Sequence, residues 1–154
     1  MTSPARIHPA PLRLAVHYDA GWVELTAPGA PANEVVRLRT GSLHEAARQA
    51  AQSATPAFVD IDVLLAGSVN EAFLAFTDQR PGWSPGLRAE VIVHPGTPST
   101  LAGLLWDIWA ARVADGVTLH ATDPHALTAR LLDEVVPLLA RRGLHVDVRT
   151  PAAA

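Results

Sequence analysis

VIVHPGTPSTL (91–101), ARVADGVTLH (111–120) and VVPLLARRG (135–143) are the segments whose reading decides the fold. In order they predict a strand, a sharp turn with an N-cap, a helix, a glycine stop, a second strand and a second helix. Thr97 caps the first helix, and Pro98 suits its first position because an N–H there has no helical partner. Leu101, Leu104, Leu105 and Ile108 fall on one stripe, and Gly116 is the expected stop. Val117 to His120 predicts a strand. Asp123 then caps a helix that begins with Pro124, runs to about Arg142 and stops at Gly143. Pro137 inside it removes a hydrogen bond and predicts a bend. Such a βαβα unit is the building block of parallel α/β folds.

Working outward, Leu12 to Tyr18 alternates apolar and polar residues as a half-buried strand does. Asp19-Ala20-Gly21 predicts a turn and Trp22 to Thr26 a returning strand. Whether this part joins a parallel sheet or forms a separate hairpin is open at this level. Residues 27–33 read as a loop and Val35 to Arg39 as a short strand. Ser42 with Glu45 is a capping-box pattern opening a helix to about Gln52. Ala57 to Leu65 predicts a strand, and Ser68 with Glu71 a second capping box whose helix carries Phe73 and Phe76 on one side. Residues 80–86 predict a loop, Leu87 to His94 a strand, and Leu144 to Arg149 a last strand or trailing segment. Residues 1–11 and 150–154 are Pro/Ala-rich ends expected to fray. The expectation is a single domain across residues 1–154, its mostly parallel sheet built from four strand–helix units.

Composition narrows the function classes. At 154 residues and 49% hydrophobic content, one core is the expectation. The formal charge of −3 offers no field favouring nucleic acid or anionic lipid. All twelve basic residues are arginine, which excludes Schiff-base lysines and Walker-type phosphate loops. The absence of cysteine excludes disulfides and thiolate chemistry. No apolar run approaches about 18 residues, and the opening MTSPARIHPAP is too polar for a signal peptide, so a cytoplasmic location is expected.

The strands are not continuously apolar. Ala57, Val59, Ile61, Val63 and Leu65 share one face of their strand, while Asp60 and Asp62 share the other. Glu90 and His94 alternate against Val91 and Val93, and Thr118 and His120 against Val117 and Leu119. One face therefore suits helices, and the other is expected to be water-facing, ligand-lining or part of a subunit contact. Trp106, Trp109 and Val113 give the preceding helix a second apolar side. Core packing or a homo-oligomer interface would each account for it.

Gly96-Thr97-Pro98 opening an amphipathic helix, Ala114-Asp115-Gly116-Val117 entering a strand, and Val135-Val136-Pro137-Leu138 followed by Arg141-Arg142-Gly143 occur in a set order. In that order, residues from about 57 to 149 resemble the C-terminal part of the bacterial luciferase-like flavin-dependent monooxygenases, closest to the nitrilotriacetate monooxygenase branch. The family's counterparts are a Gly-Thr-Pro helix start, an Ala-Asp-Gly-Phe final strand and a Val-Val-Pro-Glu-Leu-Gln-Arg-Arg-Gly closing helix. The resemblance implies part of a (β/α)₈ (TIM) barrel, FMN as cofactor, and oxidation of a small organic molecule. The residues themselves require no cofactor. A full barrel needs about 250 residues, so this chain has room for roughly half of one. The family's Gly-Ala-Ser type phosphate turn has no counterpart here, and the matched motifs carry no flavin contact. The alternative is a non-catalytic, oligomeric interaction protein on a scaffold that has lost the flavin site.

Three predicted strands end in histidine: His17, His94 and His120. If the strands run parallel, these side chains gather on the rim where barrels and open α/β sheets bind ligands. There they would serve as catalytic proton-transfer groups or ligand contacts, with Asp19 and Asp123 nearby. Ordinary capped or solvated histidines are the plainer alternative, and no close His-x₃-His spacing points to a metal. Asp60 and Asp62 suit acid–base work or a cation site, or more plainly the solvated side of a half-covered sheet. The Gly96-Thr97 helix start suits an anion or simply a capped helix.

Overall fold

The computed structural model describes residues 10–27, 29–85 and 90–149. Strands β1 (Arg13–Tyr18), β2 (Gly21–Glu24) and β3 (Val36–Leu38) are followed by helix α1 (Leu43–Ala51), strand β4 (Ala57–Leu65) and helix α2 (Val69–Gln79). Next come β5 (Ile92–Gly96), α3 (Pro98–Ala110) and β6 (Gly116–His120). The last helical region is α4 (Pro124–Arg130) and α5 (Val136–Arg141), joined by a π-helical turn at Leu131–Val135.

The strands form one curled, mostly parallel sheet, a partial TIM-like barrel with alternating strands and helices. Along it the order is β2-β1-β6-β4-β3, and β5 also pairs with β4. β4 is the hub. One of its edges pairs with β6 from Phe58 to Asp62; the other is shared by β3 at Ala57 to Val59 and β5 at Ile61 to Leu65. The N-terminal part does both things left open by the sequence. β1 runs parallel beside β6, and β2 folds back on β1 as the antiparallel arm of a hairpin.

Connection geometry then distributes the helices. The path β4–α2–β5 steps to one side of β4, whereas β5–α3–β6 steps back across it. Right-handed crossovers that step in opposite directions put their helices on opposite faces. α3 accordingly joins α1, α4 and α5 over the apolar face, where Leu14, Val16, Ile61 and Leu119 pack with Leu105 and Leu131. α2 covers the other face near the strand ends, with Phe76 against the crevice that holds Asp62 and His120. This corrects the expectation of a solvated side: Asp60 is 3% and Asp62 5% exposed.

Several helix ends follow the sequence and several do not. Ser42 and Ser68 accept from the N–H groups of Glu45 and Glu71. The Glu45 carboxylate turns to Arg48 and Gln49. The reciprocal capping box is Thr97 with Thr100. α3 closes in a Schellman arrangement, Arg112 N–H to Trp109 O and Val113 N–H to Ile108 O, with Arg112 at φ 53°. Gly116, the expected stop, lies instead inside β6, where an added Cβ would stand 2.6 Å from the Phe58 ring. The bend expected at Pro137 takes the form of the π turn, because residue 137 has no N–H for the Asp133 carbonyl. β5 begins at Ile92 rather than Leu87 and runs through Pro95 to Gly96; of the expected strand, residues 87–89 lie outside the described residues and Glu90 lies in a bend. The C-terminal segment contributes a bridge of Thr26 with Val148.

Candidate functional site

β1, β4 and β6 run in the same direction, so their C-terminal ends meet at one rim. Pleating then selects which side chains share it. Ala15 and Asp60 both stand opposite Thr118, and Asp62 stands opposite His120. Residues two positions on along β1 place His17 against His120, their rings stacked with centroids 5.1 Å apart and planes 20° from parallel.

Beneath the stacked rings lies Asp60. Its Oδ2 receives His120 Nε2 at 3.3 Å, Arg39 Nη1 at 3.4 Å and Arg37 Nη2 at 3.6 Å. Its Oδ1 is buried and has no hydrogen-bond partner. The His120 contact is close enough for ion pairing but lies off the line of a good hydrogen bond, leaving Nε2 without one. Asp62 pairs tightly with Arg80 and more loosely, at 3.9 Å, with Arg39. The two carboxylates are therefore embedded in arginine, and sequence alternation identified their shared face but not their partners.

Charge states follow from these neighbours. Burial pushes the Asp60 carboxyl up, but His120, Arg37 and Arg39 outweigh it and hold the group below its ordinary value. Burial, His120 and Arg37 hold the His17 imidazole low, against the pull of Asp60 and Asp19. At neutral pH this leaves ionised Asp60 beside a neutral His17.

His94 does not join them. Its pairing with Val63 turns it to the helix-covered face, where Nε2 lies 3.0 Å from Thr100 Oγ1 and burial lowers its pKa. The expected Val91/Val93 alternation had placed it on the polar side. Asp19 is exposed, and Asp123 caps α4 by accepting from the Ala126 N–H. At the start of α3, the Thr97 and Thr100 hydroxyls accept from the Thr100 and Thr97 N–H groups of this half-buried turn, so the turn is a satisfied cap.

The rim encloses a crevice. A cavity of about 350 Å³ is lined by Arg39, Asp62, Phe76, Gln79, Arg80 and His120. It shares Val63, Gln79, Ala121 and Thr122 with a neighbouring cavity of about 210 Å³ that reaches Arg130. The chain leaves β4 for one face and β6 for the other, which opens the sheet at this point. Such reversals are where open α/β sheets bind ligands.

A second polar cluster, missed by sequence reading, occupies the opposite end of the same face. Arg13 donates to both Glu24 oxygens at 2.7 and 2.6 Å, and Thr26 and the Ala30 N–H complete the shell. Antiparallel registry alone brings these residues together. Trp109 donates to Ala10 O, while Trp106 lies beneath Arg142. Among the described residues, no group of three or more His, Asp or Glu is arranged to hold a metal ion. No helix among them is long and apolar enough to cross a membrane.

EDTA monooxygenase from Chelativorans sp. BNC1 is similar to this chain, with a TM-score of 0.50 and 19% identity over 72% of this chain and 42% of that one. The chain thus spans less than half of that neighbour's length. At this identity the likeness concerns the fold: a mixed α/β, mostly parallel, partial barrel. No family profile and no curated protein matches the chain.

Proposed function

We propose that this chain is a short, divergent relative of the luciferase-like monooxygenases that receives a small organic molecule in the crevice at the C-terminal ends of β4 and β6. The observation that carries this reading is the convergence of His17, His120, Asp60, Asp62 and three arginines where the connections reverse. Fold likeness to a monooxygenase and the ordered motifs at residues 96–98, 114–117 and 135–143 support the ancestry.

FMN, the cofactor that ancestry implies, presents a phosphate and a broad flat ring. The crevice offers a buried Asp62 carboxylate toward the former, and its Arg80 is already paired with that carboxylate. A phosphate cradle of free N–H groups is also missing at the capped start of α3, where both threonine N–H groups are satisfied. The residues present do not fit the flavin, and no chemical step is assigned to it. The same misfit favours a second reading, in which the scaffold acts through contact with other copies or partners.

FMN titration followed by absorbance and fluorescence is expected to give no saturation in the low micromolar range. Saturation there would restore the flavin reading. In a fragment series of small organic compounds, amide NMR shifts are expected to converge on Gln79, His120 and Thr122. Shifts elsewhere, or none, would remove the crevice as the working site.

A further inference from the structure

We propose that Asp60 and His120 form a proton-transfer dyad, in which His120 Nδ1 accepts a proton in the crevice and Arg39 receives negative charge developing on a small carbonyl compound. The proposal rests on the crevice reading above and deepens it by naming the chemistry and ligand class.

Four observations carry it. First, His120 Nε2 is the nitrogen turned inward, 3.3 Å from Asp60 Oδ2, so Nδ1 is left for the crevice that the ring lines. Second, the Asp60 side chain is only 4% exposed, so it can favour the Nε2–H tautomer and balance an imidazolium without being hydrated itself. Third, Arg39 touches the same Oδ2 only at 3.4 Å and Asp62 at 3.9 Å, and its side chain is 52% exposed. A loosely engaged cation beside a base is the arrangement that stabilises an oxyanion. Fourth, the groups facing His120 are accounted for: His17 stacks on it, Arg37 and Arg39 bind its carboxylate, and Arg80 neutralises Asp62.

In the step proposed, Nδ1 takes a proton from a water whose oxygen attacks the carbonyl carbon. The carbonyl π pair moves to its oxygen, facing Arg39. When that pair returns, the bond to the leaving oxygen breaks and the leaving group departs as its anion. The imidazolium then gives its proton to solvent, so charge and atoms balance. His120 is the catalytic residue here; Asp60 acts through it and is a positioning residue.

The test uses the whole chain and 4-nitrophenyl acetate as probe. Wild type is expected to cleave it at least about tenfold faster than His120→Gln, with a rate that rises as the imidazole deprotonates. His145→Gln, on the exposed C-terminal segment, is expected to match wild type. Asp60→Asn is expected to lower the rate about tenfold and to shift the pH profile. Independently of any variant, ¹⁵N NMR of wild type is expected to show neutral His120 protonated at Nε2, a preference weakened in Asp60→Asn. Equal cleavage by wild type and His120→Gln, or an Nδ1–H tautomer in wild type, would overturn the dyad. If fragments still converge on Gln79 and Thr122, that result sinks the dyad alone; if they do not, the crevice reading fails as well.

Discussion

His94 and Glu24 show how much the meaning of an ionisable residue depends on what stands against it. His94, on the helix side of the sheet, is held below the ordinary histidine value of 6.5 by burial. Its unfolded form therefore binds a proton that the folded form resists. The contribution from His94 is fully present above about 6.5 and is lost as pH falls from there through the lower folded value. Glu24 and Asp60 are also held below their ordinary values of 4.5 and 3.8, so their contributions disappear only in more acidic solution. Urea unfolding is thus expected to weaken in two stages on acidification. His94→Gln should shrink the first stage, which sets in below about pH 6.5 and to which His17 also contributes, and leave the second; a first stage unchanged by that substitution would assign it elsewhere. Sequence alternation could mark Asp60 and Asp62 as neighbours on one face, because a strand's period of two is local. It could not mark Arg13 with Glu24, whose contact is made only once β2 has folded back on β1.

Helix α3 carries its strain at its C-terminus. The Schellman closure places residue 112 in the left-handed region, and the chain spends an arginine there, φ 53°, where glycine is usual. Arg112→Gly is therefore expected to stabilise the fold by about 1 kcal/mol, read as a higher urea midpoint at unchanged slope. A loss of stability would mean that the Arg112 side chain supplies more than its backbone costs. The contrast with α5 is instructive, since there Gly143 takes the same position at φ 87°, as its sequence position predicted. Element starts were legible for a similar local reason: Ser42, Ser68, Thr97 and Asp123 each accept from the N–H three residues on. The end of β5 was not legible, because the pattern around Pro95 resembles a strand end, yet pairing with β4 carries the strand through it to Gly96.

For the molecule as a whole, the second apolar side of α3 is the face through which copies would associate. Trp106 and Trp109 contact each other edge to face, at 6.0 Å, and are half-buried against the core, with Arg142 over Trp106 and Ala10 O bonded to Trp109. If copies associate through this face, light scattering should report a multiple of 16.3 kDa for the native protein, and Trp106→Arg should return it to 16.3 kDa. A native mass of one chain would assign both tryptophans to the fold alone. Periodicity, caps and turns, which act over a few residues, were enough to determine the succession of strands and helices, the parallel α/β class and, β5 excepted, which strand face is oily. Only the tertiary structure decided the strand order, the turning of His94 away from His17 and His120, and the burial of Asp60 and Asp62 among arginines. Those outcomes depend on which edge of β4 each later strand occupies, and that choice is made by packing between residues far apart along the chain.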